Sequence, residues 1–130
     1  MAKIISVTNQ KGGCAKTTTV SNLAASLGNL GKKVLVIDND AQGNLTSSLG
    51  IKDFSNTIYH LINYNTSIDK VILKTNFKNV DIIPSNLDYS NIELELASIS
   101  KREYKLKNIL NNSNLNYDYI LIDCNPSLSL

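Results

Sequence analysis

KIISVTNQKGGCAKTTT, residues Lys3 to Thr19, passes from an apolar run through a pair of glycines into a run of hydroxyl side chains. The end of the stretch nearly fits the phosphate-binding pattern G-x-x-x-x-G-K-[ST], with Lys16 and Thr17 in its last two places. Gln10 and Ala15 stand where that pattern has its glycines, and an additional lysine, Lys11, precedes Gly12 and Gly13. A loop that cradles phosphate needs inward-pointing backbone N–H groups at the positive end of a helix. Gly12 and Gly13 allow the close backbone approach this requires. Lys16 then reaches the β- and γ-phosphates, and the Thr17 hydroxyl is placed to ligate Mg²⁺. Thr17, Thr18 and Thr19 are poor helix starters because all three are β-branched. Their hydroxyls make sense if phosphate or metal lies beside them. Taken alone, the stretch also admits a plain strand-to-helix turn with incidental lysines.

Two further runs resemble the apolar start of this stretch: KVLVI (Lys33–Ile37) and YILI (Tyr119–Ile122). None of the three, KIISV (Lys3–Val7) included, alternates polar with apolar residues, which is the pattern of strands buried on both faces of a parallel sheet. Each leads into chemically capable residues: TNQKGG, DNDAQGN and DCNPS. Ligands of open α/β sheets bind beyond the carboxyl ends of strands, so three such endings point to one shared site. A lone aspartate there would be ordinary strand-end polarity. Asp38, Asp40 and Asp123 together with a Lys-Gly-Gly loop are harder to explain in that way.

Helical spacing fills the intervals. Val20, Leu23, Ala24 and Leu27 form one stripe, with Gly31 as its stop. Ile58, Leu61 and Ile62 form a second, capped from Ser55 or Asn56. Ile92, Leu96 and Ile99 form a third, and Leu106, Ile109 and Leu110 a fourth. VDIIPS (Val80–Ser85) reads as another strand, closed by Pro84. Strands alternating with helices imply an α/β fold of right-handed βαβ units, a mostly parallel sheet with helices on both faces. Residues 1–130 read as part of a single domain, without linker or internal repeat.

Composition agrees with an ordinary globular domain: 130 residues, 42% hydrophobic, net charge +2. That balance speaks neither for nor against nucleic acid. No apolar run approaches the roughly 18 residues of a membrane span, and the first residues have no signal-peptide pattern, so a cytoplasmic protein without membrane association is expected. Cys14 and Cys124 lack metal-like spacing and read as reduced thiols. His60, the sole histidine, reads as structural or solvent-facing. Lys101, Arg102, Lys105 and Lys107 read as the solvated face of a helix, with a face toward DNA phosphates as the alternative.

With these residues in view, KGGCAKTT resembles the deviant Walker A motif, K-G-G-x-x-K-[ST], of the ParA/MinD group of P-loop ATPases. IDNDAQGNLT (Ile37–Thr46) is similar to that group's D-x-D-P-Q-G-N-x-T motif, with Ala41 in place of proline. YDYILIDCNPSL (Tyr117–Leu128) resembles its Walker B segment, with Asn125 in place of the first proline. Later residues, Val80 to Leu110, are similar to those of Soj-like partition ATPases. The resemblance implies a P-loop NTPase fold that binds ATP and Mg²⁺ through Lys11, Gly12, Gly13, Cys14, Ala15, Lys16, Thr17 and Thr18. It implies Asp40 as the acid that positions the attacking water, Asp123 as a water-mediated Mg²⁺ holder, and Asp38 as a second acid close to the metal. Lys16 would stabilise charge in cis and Lys11 across a homodimer interface. Non-specific DNA and a ParB-type partner are the implied partners, and a nucleoid-associated location follows.

Proteins of this kind are about twice as long. The resemblance therefore makes the chain the N-terminal half of the fold, with the adenine pocket and most of the DNA-binding surface in the other half. It also leads to the expectation that the Asp123 strand lacks its later neighbours and helices, that the chain is poorly stable by itself and that apolar surface is exposed. A MinD-like division-site regulator, an iron–sulfur reductase of the same group, and a truncated nucleotide-binding fragment stay open as alternatives.

Overall fold

A computed structural model describes residues 2–7, 13–40, 42–86 and 99–124; of these, the side chains of residues 13–16 and 99–103 are not described. The elements follow in the order β1 (Lys3–Val7), α1 (Gly13–Asn29), β2 (Val34–Asn39), α2 (Asn44–Ser48), α3 (Ile58–Asn63), α4 (Ile68–Val71), β3 (Leu73–Lys74), β4 (Val80–Ile83), α5 (Ile99–Asn112) and β5 (Tyr119–Cys124). The strands form one sheet in the order β1-β5-β2-β4-β3. Every pairing is parallel except that of the two-residue strand β3 with β4.

The central strands are buried on both faces, as their unbroken apolar runs require. Leu35 and Ile37 of β2 join Ile58, Leu61 and Ile62 of α3, Val71 of α4 and Leu106 and Leu110 of α5 on one side of the sheet. Val34 and Val36 face the other way and pack with Val20 and Ala24 of α1 and Leu45 of α2. The alternation along one strand feeds two cores, one under each helical layer. Two residues before β5, the Tyr117 hydroxyl donates to Asp81 Oδ2 of β4 at 2.7 Å.

Several expectations change. The Asp123 strand is not short of neighbours: β5 lies between β1 and β2, pairing with both. Chain order does not give spatial order, and the crossover after α5 inserts the last strand into the middle of the sheet. The exposed strand is instead β1, whose Ile4 and Ile5 are 37% and 38% exposed, so the reading of KIISV as buried on both faces does not hold among the described residues. In α1, Leu23 shares the predicted stripe yet is 38% exposed, whereas Val20 and Ala24 are fully buried. Gly31 does follow the end of α1, with φ +88°. The cap of α3 is neither Ser55 nor Asn56 but Thr57. Its Oγ1 accepts from the Tyr59 N–H at 3.1 Å, and its own N–H donates to His60 Nδ1 at 3.1 Å. This reciprocal pair gives the only histidine a structural task, filled more often by Glu or Gln. The stripe through Ile92 and Leu96 lies outside the described residues.

Candidate functional site

The acids are assembled by strand register. Val7, Asp123 and Asp38 are aligned across β1, β5 and β2 at their carboxyl ends. Both acids lie within their strands rather than in the loops that follow, because pairing continues to Asn39 and Cys124. Asp38, Asp40 and Asp123 are all buried. Burial of a carboxylate is costly without a compensating donor or cation, so each partner matters.

Thr17, on the fifth residue of α1, donates its hydroxyl to Asp123 Oδ2 at 3.2 Å. The helix that begins at Gly13 thus brings its hydroxyl onto the acid of a strand 106 positions away. Thr18 is exposed. Lys11 and Gly12 lie outside the described residues, as do the side chains of Cys14, Ala15 and Lys16; Gly13 is the first residue of α1. Ala41 and Asn125 also lie outside them.

Asp38 is held differently. Its Oδ2 accepts from both the Thr46 N–H, at 2.9 Å, and the Thr46 hydroxyl, at 2.6 Å. Its Oδ1 is buried and has no partner among the described residues. Burial raises its pKa to about 7; the two Thr46 hydrogen bonds oppose the rise, and the charges of Asp123 and Asp40 add to it. Asp40 is placed by a tight turn: its Oδ1 accepts from the Gln42 N–H at 3.0 Å, and its carbonyl accepts from the Gly43 N–H at 3.0 Å. Gly43 has φ +67°, and a Cβ there would stand 3.0 Å from the Ser85 carbonyl oxygen, so any other residue in this turn would be strained and crowded.

A divalent cation fits this chemistry. A hydroxyl already lies against the Asp123 carboxylate, and the neighbouring Asp38 carries a buried oxygen without a donor among the described residues. No cluster of three or more His, Cys, Asp or Glu residues suited to hold a metal occurs among the described residues. A hydroxyl beside one carboxylate suits a cation that takes one or two protein ligands and completes its shell with phosphate and water, as Mg²⁺ does.

Thr46 and Ser85 escaped the sequence reading. Thr46 closes the segment Ile37–Thr46 and so was in plain view, but a hydroxyl two positions into a short helix signals nothing until its partners are known. No helix among the described residues is long and apolar enough to cross a membrane.

Residues 2–130 match the AAA_31 family, an AAA domain. The chain is 46% identical over 132 residues to the sporulation initiation inhibitor protein Soj of Bacillus subtilis, an alignment that covers all of this chain and 52% of that protein. Among solved structures, it is similar to cobyrinic acid a,c-diamide synthase from Mycobacterium smegmatis with bound ADP and magnesium, at a TM-score of 0.87 and 34% identity over 97% of this chain and 52% of that one. A plasmid partition protein from Borrelia burgdorferi gives a TM-score of 0.82 at 35% identity, covering 96% and 56% respectively. The chain spans about half the length of the relatives it matches. Matched along nearly all its residues, it belongs to the AAA_31 family of P-loop ATPases, alongside the Soj and ParA partitioning proteins to which it is similar.

Proposed function

We propose that this chain is the nucleotide-binding part of a ParA/Soj-type partition ATPase, which binds ATP with Mg²⁺ and hydrolyses it in a cycle of dimerisation. The observation that carries this reading is the contact between Thr17 of α1 and Asp123 of β5, set beside Asp38 at the carboxyl ends of adjacent strands. Lys16 and the loop from Lys11 to Thr18 bind the phosphates. Asp40 holds the attacking water, whose oxygen bonds to the γ-phosphorus as the bond from that phosphorus to the bridging oxygen breaks; ADP carries away the electron pair, and the water's proton leaves with the inorganic phosphate. Thr17 and Asp123 would hold Mg²⁺, which would supply neutralisation of the charge on the phosphates. Lys16 in cis and Lys11 from a second copy stabilise the charge that develops on the leaving group. A lysine supplied across an interface ties turnover to dimer formation. The Gln42-Gly43-Asn44 run supports the partition branch over MinD-like proteins. In that role the whole protein works in the cytoplasm on the nucleoid, binds DNA without sequence preference and is stimulated by a ParB-type partner.

The test is calorimetric titration with Mg-ATP together with phosphate release. Lys16→Ala removes a charge-assisted contact and lowers ATP affinity by about 100-fold. Asp40→Ala keeps binding and slows turnover by about 10²-fold or more. Lys11→Ala keeps binding but does not dimerise. Equal turnover in wild type and Asp40→Ala rejects the hydrolytic role, and undiminished affinity in Lys16→Ala rejects the phosphate loop.

A further inference from the structure

Thr46 makes three hydrogen bonds to two different strands' ends. Its N–H and hydroxyl both donate to Asp38 Oδ2, and the same hydroxyl accepts from the Ser85 N–H at 2.9 Å. Thr46, Asp38 and Ser85 are buried together. Between Asp38 and Thr46 lies the turn that carries Asp40, closed by Gln42 and Gly43. The turn is thus pinned at both ends to one carboxylate, and its Gly43 rests against the Ser85 carbonyl. The residue before helix α2 is Gly43, which has no side chain to cap it. Asp38 serves instead, reaching from β2 to the N–H of the third residue of α2, where a negative group is favoured. The pattern differs from a surface turn, which would be satisfied by water. Here the hydroxyl has one proton to give and two lone pairs to receive with, and the geometry uses the proton and one lone pair.

We propose that Thr46 is a positioning residue for hydrolysis: through Asp38 and Ser85 it fixes the Asp40 turn against the ends of β2 and β4, and so sets where the Asp40 carboxylate stands. The proposal rests on the ATPase reading above for its catalytic consequence, and on the hydrogen bonds alone for the tie itself. On this account, Asp38 acts on the reaction through Thr46, and its Oδ2 is committed to the turn.

Two readouts separate the tie from the reading it rests on. Thr46→Val keeps the shape of the side chain, removes the proton for Asp38 and leaves the Ser85 N–H without an acceptor; Thr46→Ser keeps both bonds. Amide hydrogen exchange of Gln42, Gly43 and Thr46, measured on the full chain, is expected to accelerate about 10-fold or more in Thr46→Val and to return to within about threefold of wild type in Thr46→Ser. Phosphate release in Thr46→Val is expected to fall by about 10²-fold, the cost of displacing a catalytic group by about 1 Å, while ATP affinity stays within about twofold. Unchanged exchange in Thr46→Val overturns the tie. Accelerated exchange with unchanged turnover, in a chain whose turnover is lost in Asp40→Ala, overturns the positioning role. Accelerated exchange in a chain that hydrolyses no ATP at all overturns the ATPase reading and the positioning role with it, and leaves Thr46 as a structural tie.

Discussion

Asp38 illustrates how one residue's surroundings decide its behaviour. Its type and place at a strand end were legible in the sequence, but its charge state was not. That depends on complete burial, on two hydrogen bonds from Thr46 and on the nearby Asp123 and Asp40. Its pKa in the folded chain, about 7, lies above the ordinary value of 3.8. Between those limits the folded chain holds a proton that the unfolded chain has released, so stability falls as pH rises through the window. The contribution is fully present below about pH 4 and lost above about pH 7. Measured without metal, the urea midpoint of wild type relative to Asp38→Asn is expected to decline across this range. A difference between the two that stays flat with pH would show that Asp38 ionises freely in the fold. Thr46 and Thr57 mark the other side of residue-scale legibility. Thr57 bonds three positions along the chain, and its partner His60 could have been suspected from capping-box spacing. Thr46 meets Ser85 across 39 positions, and no local pattern announces such a contact.

At the scale of the element, α1 shows why periodicity gives existence more surely than detail. Its stripe was visible, and so was its stop at Gly31. Leu23 is partly exposed because what covers a helix is decided by the neighbours that reach it, not by its own spacing. Gly28 was passed over: within a helix, glycine reads as a weak spot. It is instead a contact point. A Cβ at Gly28 would stand 2.1 Å from the Lys78 carbonyl oxygen, a backbone atom that cannot turn aside. The Asn79 side-chain amide also donates to the Gly28 carbonyl at 3.0 Å, and Asn79 holds φ +63° to do so. Gly28→Ala is therefore expected to push α1 away from the turn before β4 and to cost about 2 kcal/mol or more, despite alanine's better helix propensity. Urea unfolding measures it directly; a variant as stable as wild type would mean that α1 and the Lys78 turn do not touch. The short strand β3 and the helices α2 and α4 were not anticipated, since two to five residues cannot display a period.

For the whole molecule, the decisive fact is the order of strands. Fold class, parallel pairing and helices on both faces followed from unbroken apolar runs alternating with helical stripes. The order did not, because an apolar run carries no mark of which neighbour it pairs with. With β5 between β1 and β2, residues Ile5, Leu121 and Val36 form one transverse row of the sheet, aligned in register. Leu121 is fully buried between the helical layers, whereas Ile5 in the same row is 38% exposed. Their apolar side chains are of equal size, so the difference in what their removal costs reports position alone. Leu121→Ala opens a cavity at the centre and is expected to cost about 2–5 kcal/mol. Ile5→Ala removes a partly solvated side chain at the edge and is expected to cost about 1 kcal/mol. The same row also governs the site, since a sheet loosened at Leu121 no longer holds Asp123 and Asp38 abreast two positions further along. ATP binding in Leu121→Ala should weaken in step with its stability, and in Ile5→Ala stay close to wild type. Equal losses of stability in the two variants would place β1 and β5 at equivalent depth and contradict the strand order on which the site is built.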